Sequence, residues 1–131
     1  MKTHVKALVV GGGAVGTSIA YHLGKAGWDT MLLERDELTS GSTWHAAGLL
    51  PYFNMSYATT HIHDYSIKFY KTLEEETGLN AGFSICGNLR MAQTKERMDE
   101  YALYGATAES VGVPYEWLTP NDIKDRWPLI R

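Results

Sequence analysis

The chain has 131 residues, of which 44% are hydrophobic and 21% charged, and this composition is typical of a core-forming globular protein. The formal net charge is only -3 and there is no basic stripe, so we expect no nucleic-acid partner and no membrane partner. The single cysteine, Cys86, excludes an internal disulfide and a paired-cysteine metal site, and we predict no metal. Residues 1–4 show no signal or transit peptide pattern, so a cytoplasmic location is expected.

The first part of the chain predicts a strand–helix–strand unit. The apolar run at 6–10 indicates a buried parallel strand, and a helix is expected over 14–26 after a glycine turn. A second buried strand is expected over 29–33. The unit fits within about 30 residues, the usual length of a βαβ unit. One helix face carries apolar residues that we expect to pack on the sheet: Val15, Ile19, Leu23 and Ala26.

The rest of the chain predicts a mixture of helices and short strands. Residues 36–51 are expected to form a loop with one helical turn around 43–47. Further along we predict a helix over 60–77, a hairpin with strands at 83–86 and 89–92, a helix capped by Thr94 that ends at Val111, a strand at 114–118, and a short helix from Thr119–Pro120 to Pro128. In the Thr94 helix the side chains expected inward are Met98, Tyr101, Ala108 and Val111. Two parallel strands and a hairpin do not complete a doubly wound sheet, so we expect an incomplete α/β domain, the N-terminal piece of a larger protein.

The glycine turn between the first strand and the first helix matches the dinucleotide-binding pattern G-x-G-x-x-G. Gly11 allows the sharp turn, Gly13 lets a pyrophosphate approach the backbone, and Gly16 lets helix and strand pack closely. Glu34 follows Gly11 by 23 positions (34 − 11 = 23), close to the spacing of about 20 expected for a carboxylate that binds ribose hydroxyls. Its charge disfavours NADP. The alternative is a ligand-free glycine turn with a surface glutamate.

The segment after Glu34 distinguishes FAD from NAD. Residues 38–50 read LTSGSTWHAAGLL, and this run resembles the FAD-dependent amine and amino-acid oxidoreductases of the D-amino-acid oxidase superfamily. Within that superfamily it is most similar to the dimethylglycine dehydrogenase and sarcosine dehydrogenase family. The segments 73–78, 82–83 and 87–94 extend the resemblance along most of the chain. A plain NAD-dependent Rossmann enzyme is disfavoured by the 38–49 segment.

The resemblance implies that His45 is joined covalently to the C8α methyl of the flavin. A neutral imidazole nitrogen is a competent nucleophile near neutral pH, so this role suits a histidine. Two alternatives stay open: His45 is a loop histidine bonded to the backbone, or it lies near a flavin that is not covalently bound.

The resemblance also implies the set of residues that contact FAD, whereas the catalytic residues are not identifiable. The expected contact residues are Gly11, Gly13, Ala14, Gly16, Glu34, Arg35, Gly41, Ser42, Thr43, His45, Ala46, Gly48 and Leu49. We expect residues 1–50 to form a Rossmann-like FAD-binding βαβ unit with its flavin-contact segment. Residues 51–131 would be a partial helical and hairpin region, the start of a mixed α+β substrate-domain insertion.

The activity implied by the resemblance is oxidative demethylation of an N-methylated glycine, with dimethylglycine ahead of sarcosine. Hydride passes to the flavin, the one-carbon unit leaves as formaldehyde or passes to tetrahydrofolate, and an electron carrier or oxygen reoxidises the flavin. Tetrahydrofolate would bind a region outside these 131 residues, which we expect to be inactive alone. The alternative function is that of a non-catalytic regulatory or truncated relative that retains the FAD-binding fold.

Overall fold

A computed structural model describes residues 4–130 and separates them into two compact units, one up to Leu49 and one from Leu50 onward. Met1 to Thr3 and Arg131 lie outside the described residues. The expectation of no leader peptide is based on residues 1–4 and therefore falls mostly on residues that are not described. Within residues 4–130 no helix is both long enough and apolar enough to cross a membrane.

The first unit contains the predicted strand–helix–strand arrangement. Its elements are strand β1 (Ala7–Val10), helix α1 (Ala14–Lys25), strand β2 (Thr30–Leu33) and one turn of 3-10 helix, Ser42–His45, which we call the His45 turn. The two strands are parallel, and the register pairs Ala7 with Thr30 and Val10 with Leu33. Gly27, at φ 78°, follows the end of α1 and turns the chain toward β2. The βαβ prediction is therefore confirmed to within a residue or two at each boundary.

The prediction that both strands and one face of α1 are buried is wrong for this unit. Val9 is buried, but Val10 is 79% exposed and Val15 is 74% exposed, and no residue of α1 is buried. Strands lie about 4.8 Å apart, whereas a helix with its side chains is about 10–12 Å wide. A sheet of two strands is therefore too narrow to cover one side of α1. The face of the sheet that points away from α1 has no partner in the described residues of this unit.

The regular elements of the second unit, among the described residues, are three helices, each with a side-chain cap at its N-terminus. They are α2 (Tyr57–Thr77), α3 (Lys95–Val111) and α4 (Pro120–Arg126). Thr94 caps α3 and Thr119 forms a reciprocal capping box with Asp122, as the sequence predicts. Helix α2 begins three residues earlier than predicted because Ser56 accepts the Thr59 N–H and acts as its N-cap.

The core of the second unit is small. Ala108 and Val113 are buried, and Thr60 is fully buried with its hydroxyl donating to the Ser56 carbonyl. The expected inward position of Ala108 on α3 is confirmed, whereas Met98 is 45% exposed and that prediction is wrong. Met98 lies in the first turn of α3, at some distance along the helix from the buried positions.

The predicted hairpin at 83–92 is absent. Gly87 has the positive φ that a type II′ turn needs at its first central residue, but no backbone hydrogen bond joins residues 83–86 to residues 89–92. The two arms contact other parts of the second unit instead of each other. Phe83 stacks on Tyr70 of α2 with 5.7 Å between ring centroids, and Arg90 donates to the Phe53 carbonyl at 2.8 Å.

The predicted strand at 114–118 is also absent. Tyr115 lies against α3, where a Cβ on Gly105 would come within 2.8 Å of its hydroxyl oxygen, and that hydroxyl donates to Glu109. A strand needs a neighbouring strand for its backbone groups, and among residues 4–130 this segment has none.

Candidate functional site

The glycine turn brings α1 into direct contact with the end of β1. Gly11 has φ 106°, a conformation that favours glycine, and its N–H donates to the Leu33 carbonyl at 2.8 Å. A Cβ built on Gly16 would lie only 1.8 Å from the Gly11 carbonyl oxygen. Only glycine therefore fits at position 16 without moving the backbone, as the sequence predicts.

The N-terminus of α1 presents the partial positive charge of its helix dipole beside the glycine turn. Its N-cap, Gly13, has no side chain to accept a hydrogen bond, and the first turn of α1 holds no acidic residue. The N–H of Ala14 donates to the Thr43 hydroxyl oxygen at 2.9 Å. Such an end, with its helix dipole, favours a bound anion.

Glu34 lies beside the glycine turn at the end of β2. Its carboxylate accepts backbone N–H groups from Gly12 at 2.5 Å, Arg35 at 2.8 Å and Asp36 at 3.1 Å. The hydrogen bond from Gly12, followed by those from Asp36 and Arg35, lowers the pKa of Glu34 below its usual value. The carboxylate is therefore ionised at neutral pH and its orientation is determined by the backbone.

These groups surround a cavity of about 460 Å³, a size within the usual range for small-molecule and cofactor sites. The cavity is open to solvent and is lined by the carboxyl ends of both strands, the glycine turn and the segment that follows β2. The predicted contact residues that line it are Gly11, Gly13, Glu34, Arg35, Gly41, Ser42 and Thr43. Ligands of parallel α/β sheets bind at this edge of the sheet, so the location agrees with the fold.

Other predicted contact residues do not line the cavity. Those are Ala14, Gly16, His45, Ala46, Gly48 and Leu49. Ala14 contributes its backbone N–H to Thr43, and Gly16 allows the close contact between α1 and Gly11. Leu49 is 78% exposed.

The structure adds lining residues that the sequence analysis missed, and these are Val10, Leu33, Asp36, Thr39 and Ser40. The strand-end positions of Val10 and Leu33 could have been found from the expected edge of the sheet. Thr39 could not, since nothing in the sequence marks its unusual backbone conformation.

Thr39 has φ 67°, which is rare for a β-branched residue. Its N–H donates to the Gly12 carbonyl at 3.0 Å, and its own carbonyl accepts the N–H of Trp44 at 3.1 Å. The strained residue thus joins the glycine turn to Trp44 of the His45 turn.

His45 ends the His45 turn with its ring oriented by a backbone carbonyl. Its Nδ1 lies 3.2 Å from the Gly41 carbonyl oxygen, and because a carbonyl only accepts, Nδ1 is the donor in this hydrogen bond. The neutral ring then carries its lone pair on Nε2. His45 is exposed, so Nε2 is accessible as a nucleophile or as a base.

Comparison with known proteins identifies the family. Residues 6–131 match the family described as DAO, FAD dependent oxidoreductase. The chain belongs to this family. Dimethylglycine and sarcosine dehydrogenases are among its relatives, which confirms the predicted resemblance.

Two relatives show how far the similarity extends. The chain is 45% identical over 130 residues to 4-methylaminobutanoate oxidase (formaldehyde-forming) of Paenarthrobacter nicotinovorans, covering 98% of this chain and 16% of that protein. It is 46% identical over 131 residues to mitochondrial dimethylglycine dehydrogenase of Homo sapiens, covering 98% of this chain and 15% of that protein. The chain thus spans about one sixth of the length of these relatives.

A third relative is named as a regulatory subunit and not as an oxidoreductase. The mitochondrial pyruvate dehydrogenase phosphatase regulatory subunit of Mus musculus is 36% identical over 131 residues, covering 99% of this chain and 15% of that protein.

Among solved structures, L-proline dehydrogenase from P. horikoshii superimposes with a TM-score of 0.84 at 26% identity, covering 98% of this chain and 34% of that one. This confirms the predicted fold class, part of an α/β FAD-dependent oxidoreductase domain.

Proposed function

We propose that the cavity of the first unit holds the ADP half of FAD. The FAD dependence of the family supports FAD as the cofactor, and the backbone supports the way it would fit. A Cβ on Gly13 would stand 3.1 Å from the Thr43 hydroxyl, so only glycine leaves this side of the cavity open for a pyrophosphate. The N-terminus of α1 supplies the N–H groups and partial positive charge that a pyrophosphate requires.

Glu34 would bind the ribose hydroxyls of the cofactor. A carboxylate offers about four acceptor positions, and three backbone N–H groups already use most of them. The remaining position is available for a ribose hydroxyl, while the negative charge repels a 2′-phosphate. The residue therefore favours FAD or NAD over NADP, and the family favours FAD.

We further propose that His45 carries the flavin covalently through Nε2. The hydrogen bond from Nδ1 to Gly41 supports this choice of nitrogen, because it leaves the Nε2 lone pair free. The covalent bond would keep FAD from dissociating and tune the flavin electronically. Arg35 and the small residues of the segment, Gly41, Ser42, Ala46 and Gly48, would lie along the cofactor with Leu49.

The covalent bond can be tested on the full-length product of the gene. The protein is denatured, separated on a gel and examined for flavin fluorescence in the protein band. Wild type and His61→Ala, an exposed histidine on α2, are expected to fluoresce, whereas His45→Ala is not. Flavin that leaves the wild-type protein on denaturation would refute covalent attachment and support the alternative of FAD bound without a covalent bond.

For the whole protein we propose oxidative demethylation of an N-methylated amine that carries a carboxylate. FAD supplies the chemistry, since it accepts a hydride from the carbon next to the amine nitrogen. The observation that carries this proposal is the 45–46% identity to an N-methylamine oxidase and to dimethylglycine dehydrogenase. Dimethylglycine is placed first and sarcosine second, and the first of these relatives adds 4-methylaminobutanoate as a third candidate.

The substrate is tested by adding each amine to the oxygen-free holoprotein and following loss of the oxidised flavin absorbance. Reduction by dimethylglycine with formaldehyde release, faster than by sarcosine, is expected. No reduction by any of the three amines would refute the demethylation proposal. Adding tetrahydrofolate, an electron carrier or oxygen in turn identifies the one-carbon acceptor and the electron acceptor.

The second candidate function is that of a regulatory subunit that retains the FAD-binding fold. The 36% identity to the pyruvate dehydrogenase phosphatase regulatory subunit favours it. FAD that binds but is reduced by no amine would support this candidate over the enzyme. A cytoplasmic location also belongs to the proposal and is tested by fractionating the cells that express the gene.

A further inference from the structure

The His45 turn is fastened to the glycine turn at two points. Before the turn, the Thr39 N–H donates to the Gly12 carbonyl at 3.0 Å. Within the turn, the Thr43 hydroxyl oxygen accepts the Ala14 N–H at 2.9 Å, across 29 residues of sequence. The second link uses a side chain, so a single substitution can remove it and leave the backbone in place.

Thr43 also differs in burial from the other residues of this segment. Every other residue from 35 to 49 is exposed, whereas Thr43 is partly buried against the start of α1. Trp44, next to it, is 75% exposed and supplies no such anchor. The Thr43 carbonyl accepts the Ala46 N–H at 3.1 Å, so the anchored residue also closes the turn around His45.

We propose that Thr43 is a positioning residue for His45. Its hydroxyl ties the His45 turn to the first N–H of the helix on which the cofactor phosphates are proposed to lie. The two ends of the cofactor site are thereby fixed relative to each other, and His45 is held where it can react with the flavin. This inference rests on the proposed covalent attachment at His45.

The test compares three variants of the full-length protein. Thr43→Val keeps the shape of the side chain and removes the hydroxyl, whereas Thr43→Ser keeps the hydroxyl. Thr72→Val, on the exposed surface of α2, is a matched control whose hydroxyl donates only to the nearby Phe69 carbonyl. FAD is added to the apoprotein, and the fraction of flavin that resists denaturation is followed in time.

Thr43→Val is expected to incorporate flavin covalently about tenfold more slowly, the effect of losing one hydrogen bond. Thr43→Ser and Thr72→Val are expected to match the wild-type rate. In the apoprotein, hydrogen exchange of residues 43–46 should be faster in Thr43→Val and unchanged in Thr72→Val. In a His45→Ala background, where no covalent bond forms, Thr43→Val should weaken FAD binding by a smaller factor than the factor by which it slows covalent incorporation.

The results separate this inference from the proposed function. An unchanged incorporation rate in Thr43→Val, in a wild type that does attach flavin, would overturn the positioning role alone. A loss of FAD affinity in the His45→Ala background as large as the loss of rate would also overturn it, since Thr43 would then be a direct cofactor contact. Absence of covalent flavin from the wild type would refute the proposed attachment, and the positioning role with it.

Discussion

Replacement of Gly16 by alanine tests the contact between α1 and the glycine turn. The added Cβ would lie 1.8 Å from the Gly11 carbonyl oxygen and 3.0 Å from the Gly11 carbonyl carbon. Both atoms belong to the backbone, so no side-chain rotation relieves the overlap. To bring the Cβ to even 3.0 Å from the oxygen, the helix and the turn must separate by about 1.2 Å (3.0 − 1.8).

A shift of this size disturbs more than one contact. Gly11 is held to β2 through its N–H bond to Leu33, and α1 is held to the His45 turn through Ala14 and Thr43. Overpacking typically costs 1–3 kcal/mol, and a clash with backbone belongs at the upper end of that range. We therefore expect Gly16→Ala to lower the free energy of unfolding by about 3 kcal/mol.

The same helix supplies a matched control. Gly24 lies near the end of α1, and a Cβ built on it meets nothing within 4 Å. Alanine favours a helix over glycine by about 1 kcal/mol in the interior and less near the end, so Gly24→Ala should raise the free energy of unfolding by about 0.5 kcal/mol. The two changes add the same methyl group to one helix and are expected to act in opposite directions.

The assay is urea unfolding of the full-length protein with and without FAD, followed by tryptophan fluorescence. Gly16→Ala should lower the midpoint and bind FAD less tightly, whereas Gly24→Ala should bind FAD as the wild type does. A Gly16→Ala protein as stable as the wild type would refute the close approach of α1 to Gly11 on which the site depends.

Three further predictions concern single residues. Glu34→Gln should weaken FAD binding, and it should destabilise the protein most at neutral pH. Because the folded state lowers the pKa of Glu34, the stabilisation is complete above the usual glutamate pKa and is lost as pH falls through the lowered value. Urea midpoints of wild type and variant should thus converge on acidification, and a constant difference would contradict this. Thr39→Asn should raise the free energy of unfolding by about 1 kcal/mol in a urea titration, because asparagine tolerates positive φ better than threonine; a loss of stability would argue against strain at position 39. Thr119→Ala should cost about 1 kcal/mol by removing the α4 cap, as measured by thermal unfolding, and Thr119→Ser should restore most of it; equal melting of Ala and Ser variants would exclude the capping role.

The strand–helix–strand unit could be predicted because its determinants are local. Gly11 and Gly16 mark the turn, Gly27 marks the end of α1, and Glu34 follows the second strand at a characteristic spacing. Helix caps such as Thr94 and Thr119 act over three residues and were equally visible in the sequence. These signals depend on backbone geometry that neighbouring residues determine.

The incorrect predictions depend on contacts between residues far apart in the sequence. The hairpin failed because Phe83 and Arg90 have aromatic partners on α2 and around Phe53, which no local pattern shows. The burial of β1 and α1 was overestimated because burial depends on neighbouring strands and not on the apolar character of Val10 or Val15.

The cofactor site was predicted in outline but not in its internal connections. Gly13, Glu34 and Thr43 were identified from motif and resemblance, and all three line the cavity. The hydrogen bond from Ala14 to Thr43 joins segments 29 residues apart and has no sequence signature. The positive φ of Thr39 has none either, since threonine rarely adopts it.

In the proposed function the first unit holds FAD and His45 is bonded to it. Trypsin cleaves after Arg35 and next after Lys68, so one peptide, 36–68, contains His45 together with His61 and His63. Mass spectrometry of this peptide from the full-length holoprotein, with fragmentation to assign the modified residue, tests the claim most directly. We expect a flavin mass on His45. An unmodified 36–68 peptide, or a flavin located on His61 or His63, would contradict it.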